Sequence, residues 1–212
     1  MPVSRNLIIL ITFAFITGAC SGLKGFEKTD PEKFTNNPFP PLKGEYGQAL
    51  YKTQMDAFGK HFSGILLFKP EPLNSSFRVV LLSEFGLNLM DLSMKSNGTT
   101  VNSCQDFLNR PVIINSIEKN IRMLVYIPEN KRKIKKYRNH ETNEFAVKSG
   151  CFYKNIYFCN QDGRLTKIEQ RRFFLNRLTV KMEGIDVLPS VINFENRPVK
   201  HRMKLSFLKI DK

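Results

Sequence analysis

Apolar and polar residues alternate with period two along much of this chain. Leu178, Val180 and Met182 alternate with Thr179, Lys181 and Glu183, and Met203, Leu205 and Phe207 with Lys204, Ser206 and Leu208. Period two over short segments predicts antiparallel strands with one buried and one more polar face. On this pattern strands are expected at 62–70, 77–84, 87–94, 155–159, 164–172, 177–183, 190–196 and 200–210. The segment 87–94 is apolar on much of both faces. Asn97-Gly98 and Asp162-Gly163 are hairpin dipeptides, and Phe85-Gly86, Glu183-Gly184 and Leu188-Pro189 are weaker stops. Gly59 and Gly64 suit a turn or bulge beside the first strand.

One segment has a different period. In 106–127 the residues Ile113, Ile114, Ile117, Ile121, Leu124 and Val125 recur at helical spacing. Pro111 is tolerated only near a helix start, and Pro128 ends the element. The fold class expected is mainly β (α+β): an antiparallel meander making a curved sheet or half-barrel, with one central helix packed against it.

The start of the chain follows neither period. Arg5 precedes a charge-free apolar run from Asn6 to Phe15, then the small residues Thr17, Gly18 and Ala19, then Cys20. The run is shorter than the roughly twenty residues a spanning helix needs. Basic start, short apolar core and small-residue end have the layout of a signal peptide. Gly18-Ala19-Cys20 resembles the signal of bacterial lipoproteins, although Thr17 stands where Leu is usual. The resemblance implies cleavage before Cys20 and lipid attachment to its thiol. Cys20 as the end of an ordinary signal, or as a disulfide partner, is the competing reading. Residues 20–44, rich in Pro, Gly, Lys and Asn, are expected to be a flexible tether, and 45–212 one domain. Ser21 after the cysteine suits the outer membrane by the sorting rule of that family.

The charge balance adds to this. Lys+Arg number 33 against 19 Asp+Glu, a formal net charge of +14. Loss of a signal containing Arg5 lowers it by one. Such a surface attracts anionic partners. Export removes nucleic acid from the expected partners and leaves anionic glycolipid, acyl chains or a lipidated protein. The densest run is Lys131, Arg132, Lys133, Lys135, Lys136 and Arg138, expected to be a loop that contacts an acidic surface or is merely solvated.

Little catalytic chemistry is legible. His61, His140 and His201 lie at no ligand spacing, and no nucleophile-elbow, zinc-protease or phosphate-loop pattern occurs. No metal, cofactor or enzymatic activity is expected. His61 and Ser63 share a face if they lie on a strand, but no orienting acid is evident. With Cys20 acylated, Cys104, Cys151 and Cys159 remain, which permits at most one bridge. Along one strand Cys151 and Cys159 would stand about 26 Å apart at ~3.3 Å per residue, beyond disulfide reach.

Strands, one helix and a terminal meander behind a lipoprotein signal resemble the lipoprotein-carrier and lipoprotein-receptor (Lol) superfamily. That resemblance implies an incomplete barrel whose concave apolar face holds acyl chains. It also implies an apolar loop that enters membrane, for which Phe85 and Leu87, or Phe173, Phe174 and Leu175, qualify by position. The function expected is a non-catalytic, periplasm-facing binding module for a lipid or lipidated partner. The alternative is a structural subunit that tethers an envelope complex through its basic surface.

Overall fold

The computed structural model describes residues 23–29, 41–42, 46–57, 59–72, 76–125, 135–149, 153–172, 175–185, 187–197 and 201–211. The signal, Cys20, Lys131, Arg132, Lys133, Cys151, Phe173 and Phe174 lie outside them.

After a short strand β1 (Glu27–Lys28), the N-terminal half is a meander of β2 (Gln48–Ala57), β3 (Lys60–Glu71), β4 (Ser76–Leu82), β5 (Asn88–Lys95) and β6 (Gly98–Cys104). The helix α1 (Pro111–Val125) follows. The C-terminal half is a second meander: β7 (Lys135–Arg138), β8 (Phe145–Ser149), β9 (Tyr153–Cys159), β10 (Leu165–Arg172), β11 (Leu175–Ile185), β12 (Pro189–Asn196) and β13 (His201–Asp211). Every described pairing is antiparallel, and β13 pairs with β2 from Arg202↔Asp56 to Asp211↔Gln48, joining the halves. The result is one curved, unclosed sheet with β1 and β6 at its edges.

The eight strands expected from period two all form, each within a few residues of the expected bounds. Five were not anticipated. In β2 the buried positions are Ala49, Tyr51, Thr53 and Met55, opposite exposed Lys52, Gln54 and Asp56. Thr53 among the buried positions weakens the apolar signal. The sequence of β6, GTTVNSC, is polar and mostly exposed, as suits an edge. The other three are the short strands β1, β7 and β8.

The two glycines marked in the sequence differ: Gly59 makes the expected turn, whereas Gly64 lies inside β3 in register with Thr53 and forms neither turn nor bulge. Gly59 (φ 74°) turns the chain between β2 and β3. Gly64 lies where β3 passes so close to β4 that a Cβ would run into the Leu82 carbonyl. The turn at Asp162-Gly163 is closed by Asn160, whose Oδ1 accepts the amides of Asp162 and Arg164.

The helix starts where Pro111 places it, with the Arg110 carbonyl accepting the Ile113 and Ile114 amides. Ile117, Asn120, Ile121 and Leu124 form its buried stripe. Ile117, Ile121 and Leu124 pack into one core with Tyr51, Phe68, Leu92, Val180 and Leu205 of the sheet. Arg122 pairs with Glu118 (3.0 Å) and donates to the Lys95 carbonyl and the Thr99 hydroxyl, tying the helix to the β5–β6 hairpin.

The expected tether contributes to this packing. The Leu42 amide donates to the Leu124 carbonyl at 3.0 Å, and the Tyr46 hydroxyl donates to the Leu42 carbonyl. Leu42 itself is fully buried. β1 pairs with β7, and Phe26 meets Phe158 edge to face on the outer side of β9. A run without periodicity can still bury single apolar residues against an existing surface, and Leu23, Phe26 and Leu42 do so. Lys135, Lys136 and Arg138, expected in a loop, lie instead in β7, held between β1 and β8.

Candidate functional site

The antiparallel register gathers several features at one end of the sheet. Met55 pairs with Phe62 and Ile65 with Leu82, so this end carries the β4–β5 tip. Leu82 pairs with Asn88 and Met90 with Cys104, which brings loop 105–110 and the start of α1 to the same end. Across β13 and β12, Asn196↔His201, Leu178↔Asn196 and Leu175↔Arg172 place His201 and Leu175 there too.

At this end a cavity of about 380 Å³ lies between α1 and the sheet. Its walls are largely apolar: Met55 and Phe62 from the sheet, Phe107 and Leu108 from the loop, Ile113 and Ile117 from the helix. Phe107 stacks on Phe62 with centroids 6.2 Å apart. Phe107 and Val112 are both exposed, which puts them at the mouth. A smaller void of about 10 Å³ shares Met55, Phe62 and Leu108 and reaches Leu81 and Leu89. Size and lining are those of a small-molecule pocket, typically ~300–1,000 Å³ with few polar groups.

Three polar residues line it: Arg110, Ser116 and His201. His201 is 4% exposed. Its Nδ1 lies 3.1 Å from both the Ser116 hydroxyl and the Asn196 amide nitrogen. Burial pushes its pKa below the usual 6.5, so the ring is neutral at pH 7. Its Nε2 is buried with no hydrogen-bond partner. A linear reading passes over His201 because Ser116 comes from α1, 85 residues away, and Asn196 meets it only by pairing across the β12–β13 connection.

The other sequence-marked residues are distributed as follows. Phe85 and Leu87 are 92% and 66% exposed at the β4–β5 tip. The tip is a built turn: the Ser83 hydroxyl accepts the Phe85 and Leu87 amides, and Gly86 has φ 80°. Leu175 is exposed at the start of β11. Lys135 is exposed, Lys136 is buried, and Arg138 stands over the Phe145 ring and donates to Asn143. These basic residues are therefore not one protruding patch. Arg110, Arg172, Arg197 and Arg202 are exposed at the pocket end, against Asp56, Glu84 and Asp106.

His61 does have an acid beside it. Asp56, opposite it in the β2–β3 register, lies 2.7 Å away, and both side chains are exposed. This is a cross-strand pair, invisible to a linear reading. Cys104 and Cys159 are free thiols, and burial pushes the Cys159 pKa up to about 12. Among the described residues no three His, Cys, Asp or Glu side chains gather as a metal site. No described helix is long and apolar enough to cross a membrane.

No family model and no curated protein sequence matches this chain. Solved structures do. A LolA superfamily protein of Nitrosomonas europaea superposes with TM-score 0.51 at 11% identity, over 81% of this chain and 88% of that one. An outer membrane lipoprotein-sorting protein domain of Vibrio parahaemolyticus (TM-score 0.47, 8% identity) aligns over 77% and 84% of the two chains. A DUF1329 family protein of Desulfovibrio piger (0.47, 5%) aligns over 79% and 86%. The unclosed antiparallel sheet with its single described helix is the LolA-like fold.

Proposed function

We propose that this protein is an envelope lipoprotein that holds an acyl chain, of a lipid or a lipidated partner, under α1. The observation that carries this reading is the apolar cavity between α1 and the sheet, which opens at the end of the molecule bearing Phe85 and Leu87. Burying an acyl chain yields about 0.8 kcal/mol per methylene, so a chain of moderate length binds without many polar contacts. The adjacent tip and the arginines at the same end suit contact with an anionic bilayer surface, from which such a chain would enter. Lipid on Cys20 would keep the domain at that surface, on the periplasmic side of the outer membrane. The tethering alternative draws less support, since Lys136 is buried and Arg138 is engaged within the fold.

Native mass spectrometry of the chain from Ser21 onward, which contains every described element, tests the binding claim. One acyl ligand per chain, co-purified or taken up from added palmitate, is the expected result. Absence of both refutes it. For the anchor, Cys20→Ala is expected to abolish palmitate labelling and membrane fractionation, and retained labelling would place the lipid elsewhere.

A further inference from the structure

The pocket contains a polar group that an apolar tail alone would leave unanswered. With its amide nitrogen turned to the ring, Asn196 can only donate, so the His201 Nδ1 at 3.1 Å serves as the ring's acceptor. The same Asn196 nitrogen lies 3.4 Å from Asn120 Oδ1, another acceptor, which agrees with this orientation of the amide. The Ser116 hydroxyl lies 3.1 Å from the same Nδ1. A neutral imidazole whose Nδ1 accepts carries its proton on Nε2. That Nε2–H, on the ring edge away from Asn196 and Ser116, is closed off from solvent and has no acceptor, so a ligand oxygen reaches it only when a neighbouring pocket side chain moves aside. An unanswered buried donor costs roughly 1–3 kcal/mol, so it is a feature that a ligand acceptor would relieve.

We infer that His201 is the polar anchor of the pocket, its Nε2–H donating to a carbonyl or carboxyl oxygen at the head of an acyl chain. This rests on the acyl-binding reading and specifies the chemistry at one end of the ligand. The apolar walls take the chain, and Arg110, exposed at the pocket, stands available to a carboxylate or to an anionic group beyond an ester. Free fatty acid and ester-linked acyl chain share the required oxygen.

The test titrates the chain from Ser21 onward with three fluorescent probes. They are cis-parinaric acid, its methyl ester, and N-phenyl-1-naphthylamine, which is apolar and has no carbonyl. Wild type, His201→Phe and His201→Gln are compared, the last retaining a donor near the position of Nε2. Both parinaric probes are expected to bind wild type, to weaken about tenfold in His201→Phe, and to recover in His201→Gln, one hydrogen bond's worth. The naphthylamine is expected to change less than twofold throughout. Binding of the acid but not the ester would assign the site to free fatty acid, and binding of both to any acyl carbonyl. Unchanged parinaric binding in His201→Phe, or equal loss for all three probes, would overturn the inference while leaving the acyl pocket standing. Failure of every probe on wild type would remove both. Nitrogen-15 NMR of wild-type His201 adds a readout free of mutation. An Nε2-bound proton whose signal moves on adding cis-parinaric acid supports the assignment, and an Nδ1-protonated ring refutes it.

Discussion

Burial holds the His201 imidazole below its usual pKa of 6.5, which ties stability to pH at a single residue. The unfolded chain binds this proton more readily than the folded one. The contribution is therefore complete above pH 6.5 and is lost as pH falls toward the folded-state pKa, by at most about 1.4 kcal/mol per pH unit. Urea titrations between pH 7.5 and 5 should show wild type losing more stability than His201→Gln; parallel loss would place the sensitivity elsewhere. A second residue-scale case is Asp91, buried on the outer side of β5. Arg78 grips it through two bonds, Nε to Oδ1 (3.1 Å) and Nη2 to Oδ2 (2.6 Å), and Asn102 adds a third. Arg78→Met leaves a buried carboxylate with one donor and should cost about 2 kcal/mol in urea, without altering ligand binding. Neither pairing was legible in the sequence. Arg78 and Asp91 meet across strands, and His201 meets Ser116 from across the molecule.

At the level of elements, backbone approach is as strict as side-chain packing. Gly64 is the point where β3 runs tight against the Leu82 carbonyl of β4. Gly64→Ala should lower stability by about 2 kcal/mol through that collision, whereas Gly98→Ala, facing open space, should cost less than 1 kcal/mol by the same urea assay. Equal effects would show that close approach is not what Gly64 provides. Sequence pattern located the elements whose faces differ strongly in polarity, such as β11, β13 and α1. It missed β6, which is polar because it is an edge, and β2, where Thr53 interrupts the buried face. It also read 20–44 as a tether. Isolated apolar residues such as Phe26 and Leu42 have no period to detect, and only the surfaces they cover explain them.

For the whole molecule, the two features that suggest function share one end of the sheet, and register is what puts them there. The β4–β5 tip could be marked from sequence as Phe-Gly-Leu between two strands, but not its position beside a cavity. The cavity itself draws on β2, β3, loop 105–110, α1 and β13, so no window of sequence contains it. Replacing Phe85 and Leu87 by Ser should leave the melting temperature unchanged, since both side chains project into solvent. It should weaken sedimentation with phosphatidylglycerol vesicles at least tenfold, as expected for withdrawing two apolar side chains from a bilayer. Unchanged vesicle binding would separate the tip from membrane contact. The central claim, an acyl chain held between α1 and the sheet, is tested most directly by photo-crosslinking a diazirine-bearing palmitate to the chain from Ser21 onward and mapping the label by mass spectrometry. The account predicts light-dependent labelling at Met55, Phe62, Phe107, Ile113 or Ile117, suppressed when Ile113→Trp fills the cavity. Label confined to Phe85 and Leu87, or labelling that Ile113→Trp leaves intact, would contradict it.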